Sequence, residues 1–285
     1  IMKKILFLVF GLFSIFNQAQ PLEKALLWKI SGNGLEKPSY LFGTIHATCD
    51  ATLDAATLKA LEETKQLYLE IDMDDPMLQM QMMQGMAMKD GVTISSLVSE
   101  EEFIVIDEFL QKNIGMSAKM INTFKPFMLS SMLLPKLLDC EFQSVEMELM
   151  KVTKVQSEEV YGLETIGDQL QVFDKIPYKD QVEELLKTAK SDLSKEKEEM
   201  NKVMEVYKTK DIEKMLVVMD ESDNKVSADN KDVLLVNRNR NWIPVIEKVI
   251  KSTPTFFGVG AAHLAGDDGV IKLLRKQGYK VEAVK

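Results

Sequence analysis

The chain has 285 residues, 46% hydrophobic and 28% charged, a balance that describes an ordered globular protein long enough to bury a sizeable core. Its formal charge of −9 argues against non-specific binding to nucleic acid or to an anionic membrane surface. It has only two histidines, His46 and His263, which excludes His-rich metal storage, the HExxH zinc motif and any three-histidine site.

Residues 2–19, MKKILFLVFGLFSIFNQA, have the layout of a bacterial secretory signal peptide: two lysines, an apolar run from Ile5 to Phe16 and a polar stretch ending near Ala19. The apolar run is shorter than the roughly 20 residues of a transmembrane helix. The expectation is therefore a signal peptide over 1–19 and an exported chain, periplasmic or secreted, without a stable membrane anchor. Export brings Cys49 and Cys140 into an oxidising compartment, where an even pair suggests one disulfide, with two buried thiols as the alternative.

In chain order, Ser39–Phe42 reads as a short aromatic-rich strand followed by Gly43-Thr44-Ile45-His46, a helix over 54–64 and a second strand over 66–71. Ser99 and Glu102 form a capping box that opens a helix ending near Gly115, and Pro126 and Pro135 divide the next apolar stretch into short helices. Val160–Glu164 reads as a weaker strand followed by a helix from about Asp168 to Phe173. Residues 180–222, rich in Lys and Glu at helical spacing, read as solvated helices. The plan of the first unit then returns: strand 255–259, Gly260-Ala261-Ala262-His263, a helix at about 268–277 and a strand over 279–284. Asp267 is the expected N-cap of that helix and Gly278 the residue in the left-handed conformation after it. The fold class is α/β (α+β): a small, mostly parallel sheet built from strand-GxxH-helix units. That core comes from about 25–75, 155–175 and 250–285. A large helical middle region, about 76–250, surrounds it in one domain over 20–285, since no Pro/Ser-rich linker marks a boundary.

Both histidines end a Gly-x-x-His turn directly after an apolar strand, the position at which open α/β sheets bind ligands. Glu70 interrupts the apolar strand Tyr68-Leu69-Glu70-Ile71, where a charge is costly unless paired or bound to metal. Glu164 follows Val160–Leu163 and can reach the same rim, although an acid just before a helix is favoured by the helix dipole in any case. Glu282 also interrupts a strand, at a C-terminal edge, and is expected to face solvent.

These residues resemble the TraB/GumN family, which includes the TIKI-type metalloproteases. The resemblance rests on Phe42–His46, Leu69-Glu70, Gly162-Leu163-Glu164-Thr165, Arg238-Asn239 with Trp242, and Gly258–Gly266. It implies a metal-dependent, peptidase-like hydrolase with His46, His263 and Glu70 as ligands of a divalent ion. Zn, Mn and Co suit such ligands equally. The ion would lower the pKa of a bound water and polarise a carbonyl. Arg238 would hold a substrate carboxylate or developing oxyanion, and Glu164 would be a general base or further ligand. The substrate is expected to be a peptide or small molecule. The family is also similar in its core to erythromycin-esterase-like proteins, which gives a metal-independent alternative: His46 as the base, oriented by Glu70. A non-catalytic periplasmic binding protein is a third reading.

Met73, Met77, Met80, Met82, Met83, Met86 and Met88 crowd one stretch, and thioethers are soft ligands that suit Cu(I). Packing is the preferred account, because Gly85 and the interspersed glutamines give no repeated ligand spacing.

Overall fold

The structure, a computed structural model, describes residues 22–285; the expected signal peptide, 1–19, lies outside them. Among the described residues six strands form one sheet: β1 (Leu27–Ser31), β2 (Ser39–Thr44), β3 (Gln66–Leu69), β4 (Glu159–Gly162), β5 (Phe256–Gly260) and β6 (Lys280–Ala283). Their spatial order is β4-β3-β5-β2-β1-β6. The first four in that order run parallel, and β1 lies antiparallel between β2 and β6. Burial follows this topology. β2 is buried along its whole length and β5 along all but Gly260, as continuous apolar runs covered on both faces must be. Glu282, on the outer strand β6, is exposed as expected.

β1 is a strand that the sequence reading does not assign. Only five residues long, it buries Trp28 and Ile30 around a half-buried Lys29, then reverses into β2 through a loop in which Gly32 and Gly34 have positive φ. Helix boundaries follow their signals more closely. Asp54 caps the Ala55–Glu62 helix, and the Ser99–Glu102 capping box forms with both hydrogen bonds. The helix it opens, Glu100–Ile114, ends at Gly115 with φ 72°. Asp267, however, does not cap the last helix. Val270–Lys276 starts at Gly269, and Asp267 stands in solvent beside Lys272. The cap is Gly269, two residues after the acid, at a position where a Cβ would meet the Ala265 carbonyl oxygen at 2.2 Å.

The Lys/Glu-rich stretch forms the helices Tyr178–Ser191, Ser194–Lys208 and Ile212–Asp220. These are more than solvated: Val182, Leu185 and Leu186 join Ile94, Ile106 and Leu110 in a second apolar core beside that of the sheet. The Leu134 side chain packs against both cores. No helix among the described residues is long and apolar enough to cross a membrane. Cys49 and Cys140 are joined in a disulfide, their Cα atoms 5.6 Å apart.

Candidate active site

Four parallel strands deliver their carboxyl ends to one rim of the sheet. His46 follows β2 by two residues, Glu70 follows β3 by one, Glu164 follows β4 by two and His263 follows β5 by three. The two GxxH turns are not in matching register. Thr44 pairs with Gly260 and Gly43 with Val259, so the motifs are offset by one residue across neighbouring strands. A one-residue offset exchanges the sheet faces of the two glycines, and beyond the strands the paths part: His263 lies in a 3-10 turn, Ala261–His263, and His46 in a bend, so the two enter different surroundings. Gly43 is required by the close approach of the second turn: a Cβ there would stand 3.0 Å from Leu264 and 3.1 Å from Ala261.

His263 is buried, its ring centroid 4.5 Å from that of Trp242. The Asn239 amide nitrogen donates to the His263 and Asp268 carbonyls, at 3.2 and 2.9 Å, which turns its oxygen toward His263 Nδ1 at 2.5 Å. His263 Nδ1 therefore carries the proton and Nε2 is the acceptor, 3.2 Å from Arg238 Nη1. Burial, helped by Arg238, pushes this histidine down to about 3, against the pull of Glu70. It is neutral at physiological pH.

Arg238 is the hub of this buried cluster. It begins the Asn237–Ile250 helix just after a π-helical turn, Asp232–Val236, whose Leu234 carbonyl accepts from Nη1 at 3.1 Å. Nε and Nη2 grip Glu164 Oε1 at 3.0 and 2.6 Å, and Nη2 also donates to Glu70 Oε2 at 2.5 Å. Trp242 Nε1 donates to the other Glu164 oxygen at 3.1 Å, and the guanidinium lies 4.9 Å from the Trp242 ring centre. Glu70 Oε1 accepts the Gly260 backbone N–H at 2.8 Å. Burial raises Glu70, but the positive side of its surroundings, His263, Arg238 and His46, holds it well below the usual carboxylate range. With His263 neutral, Arg238 is the partner that persists at physiological pH. Burial pushes Glu164 up, against the Arg238 contact.

His46 is placed differently. Its side chain is 62% accessible, and Nδ1 forms an ion pair with Glu146 Oε1 at 2.7 Å. Glu146 is a buried residue of the Val145–Gln156 helix, and its other oxygen accepts the Ser144 hydroxyl at 2.6 Å. The walls around His46 disfavour its charge, but Glu146 outweighs them and pushes it up to about 9. Glu146, despite burial, is held down at about 2 by His46 and by the Ser144 hydroxyl. Backbone and covalent links fix the pair. Val145 N–H donates to the Ile45 carbonyl, Thr48 and Gln143 exchange two hydrogen bonds of 3.0 Å, and the Cys49–Cys140 disulfide closes the far end. His46, Glu70, Arg238 and His263 all line one crevice of about 660 Å³, while Glu164 stands behind Arg238.

A model of the TraB/PrgY/gumN family matches residues 26–283. The chain belongs to that family. No curated protein and no solved structure matches it. The TraB/PrgY/gumN match takes in both GxxH turns and every residue of the cluster. It also takes in two residues whose roles the sequence reading does not identify, Glu146 and Asn239. Glu146 sits in the first turn of its helix, where any acid is explained by the dipole, so its type and position carry no signal. Asn239 is next to Arg238 in the Arg-Asn pair, where nothing in the sequence says which side chain it meets. The partner of His46 is Glu146, whereas the sequence reading names Glu70.

The family resemblance implies a divalent ion on His46, His263 and Glu70. Two imidazoles and a carboxylate are an apt donor set. As arranged, however, Glu70 Oε2 and His263 Nε2 both face the permanently charged Arg238, and His46 Nδ1 faces Glu146. Among the described residues no group of three or more His, Cys, Asp or Glu side chains stands in a metal-holding arrangement. A dication would have to share its ligands with a guanidinium, so these residues do not fit it in this geometry. Of the methionines, the Leu78–Gly85 helix leaves Met80 and Met83 exposed and turns Met82 into the crevice, while Met88 is buried away from it.

Proposed function

We propose that this protein is an exported hydrolase in which the His46–Glu146 pair moves the proton between water and a leaving group. The carrying observation is the ion pair itself. Nδ1 is held by a buried carboxylate, and Nε2 is left without a protein partner among the described residues, at the crevice. Neutral His46 would take a proton from water at Nε2 as the water oxygen bonds to a substrate carbonyl carbon. The imidazolium so formed, stabilised by Glu146, would return the proton to the alkoxide or amine as the ester or amide bond breaks. Acid and alcohol, or acid and amine, leave.

Glu70, Glu164, Arg238, Asn239 and His263 would then form the rigid wall against which the pair works. All five N–H groups of Arg238 are occupied within the protein, which favours this over substrate binding. The disulfide supports export, since such bonds persist in oxidising compartments. A p-nitrophenyl ester assay tests the reading. Glu146→Gln should lower kcat/KM by about 10²-fold or more, and wild-type activity should survive exhaustive chelation. Full activity in Glu146→Gln refutes the pair. Activity lost to chelator and restored by one ion puts the metal-dependent reading in its place.

A further inference from the structure

The crevice does not stop at the His46–Glu146 pair. Its volume, about 660 Å³, is that of a small-molecule site, and its ionic groups at the sheet rim occupy only one end. Away from the rim its walls include Met82, Phe127, Met128, Phe173, Met215 and Met219, each half-buried and so presenting apolar surface to the open chamber. The chamber also reaches Leu134, which packs on both cores, and so runs along their seam. A seam between two cores is ordinarily closed by packing; here it is left open, and four methionines, the most adaptable of apolar side chains, stand among the leucines and aromatic residues of its wall.

The polar groups of the chamber narrow the choice of ligand. Ser130 and Ser131 turn their hydroxyls back onto the Pro126 and Phe127 carbonyls of their own helix, at 3.2 and 3.1 Å. Among the described residues no lysine lines the chamber, and its cationic groups, His46 and Arg238, stand at the sheet end. Glu184 and Glu196 line it elsewhere, so a carboxylate or phosphate on the far end of a ligand would meet like charge. A peptide backbone needs donors and acceptors along its whole path; Gln169, Thr188 and Asn224 supply a few, but most of the lining side chains are aliphatic, thioether or aromatic.

We infer that the substrate carries an extended aliphatic arm, uncharged at its far end, attached to the carbonyl that meets His46. The carbonyl end rests on the hydrolase reading above; the arm rests on the chamber alone. Two series measured on the full chain separate them: binding of unreactive alkyl methyl ketones from butanone to dodecanone, and kcat/KM for p-nitrophenyl esters from acetyl to dodecanoyl. Ketone Kd is expected to fall about two- to fourfold per added methylene until the chamber is filled, and then to level off. Ester kcat/KM is expected to rise over the same lengths. Met128→Trp should bring the plateau to shorter chains, and Met215→Trp, on another helix, should do the same if the first variant fails to fold. Ketone binding that ignores chain length overturns the aliphatic arm, whether or not esters are cleaved. Length-dependent binding with no ester cleaved upholds the arm and overturns the hydrolase reading.

Discussion

The two Gly-x-x-His turns are the same word written in two environments. His263 ends a turn driven into the protein, where Asn239 fixes its tautomer, Arg238 faces its free nitrogen and burial keeps it neutral. His46 ends a turn at the open crevice, where one carboxylate keeps it charged. What separates them is one residue of register between β2 and β5, the 3-10 turn that carries His263 where His46 lies in a bend, and the polarity of what each meets. A repeated motif thus identifies a shared rim while leaving the job of each copy to its neighbours.

The comparison can be broken most directly by mutation. His46→Ala is expected to lower ester kcat/KM by about 10²–10⁴-fold, and also to lower the thermal midpoint at neutral pH, because it leaves the buried Glu146 without its cation. A variant with near-normal activity would end the assignment of chemistry to this turn. Arg238→Met leaves two carboxylates buried without their cation. It should cost about 3–5 kcal/mol of stability, read as a lower denaturant midpoint at unchanged slope. His263→Ala orphans Asn239 Oδ1 and an Arg238 N–H and opens a cavity, for an expected loss of about 3 kcal/mol. A stable, inactive His263→Ala would instead move His263 into the chemistry.

The pH dependence sharpens the contrast because the two histidines shift in opposite directions. His46, raised to about 9, binds its proton more tightly folded than unfolded. Its stabilising pairing is complete below about 6.5 and is lost as pH rises through about 9. His263, lowered to about 3, is neutral when folded, so stability falls as pH drops from about 6.5 toward 3 while the unfolded chain takes up the proton. Thermal midpoints measured from pH 4 to 10 should show His46→Gln flattening the alkaline side and His263→Gln the acid side. Hydrolysis should rise with pH up to about 9, because the working form of His46 is the neutral one; a rate that falls over that range would make the imidazolium the active species. The smallest effect separates the two glycines. Gly43→Ala meets backbone and side-chain atoms of the second turn and should cost about 1–3 kcal/mol, whereas Gly260→Ala meets Glu70 Oε1 at 3.3 Å and His263 Cδ2 at an ordinary 3.6 Å, and should cost less.

Much of this was legible in the sequence because it depended on local chemistry. The strand before each GxxH turn carries an apolar run, Tyr40–Phe42 and Phe256–Val259, the Ser99–Glu102 box names its own helix start, and Gly115 its end. β1 was harder, since five residues with one lysine among them signal a strand only once β2 and β6 are there to pair with it. The gathering of Glu70, Glu164 and His263 was legible from strand ends alone. The role of Arg238 as their common partner was not, because it depends on how a distant helix docks. Glu146 was invisible for the same reason: its meaning comes from His46, a hundred residues earlier in the chain.

The Cys49–Cys140 link lies three residues after His46 and six before Glu146. Closing a loop of about 90 residues, it contributes up to about 4–5 kcal/mol by loss of unfolded-chain entropy. Its placement matters beyond that figure. Without the bond, the segments bearing His46 and Glu146 are joined by three backbone hydrogen bonds and by the burial of Ala47, Ala51, Leu138 and Val145 in the core of the sheet. On the hydrolase reading proposed above, a chain kept reduced loses part of the restraint that holds Glu146 against His46, and ester hydrolysis measured with and without reductant reads that loss.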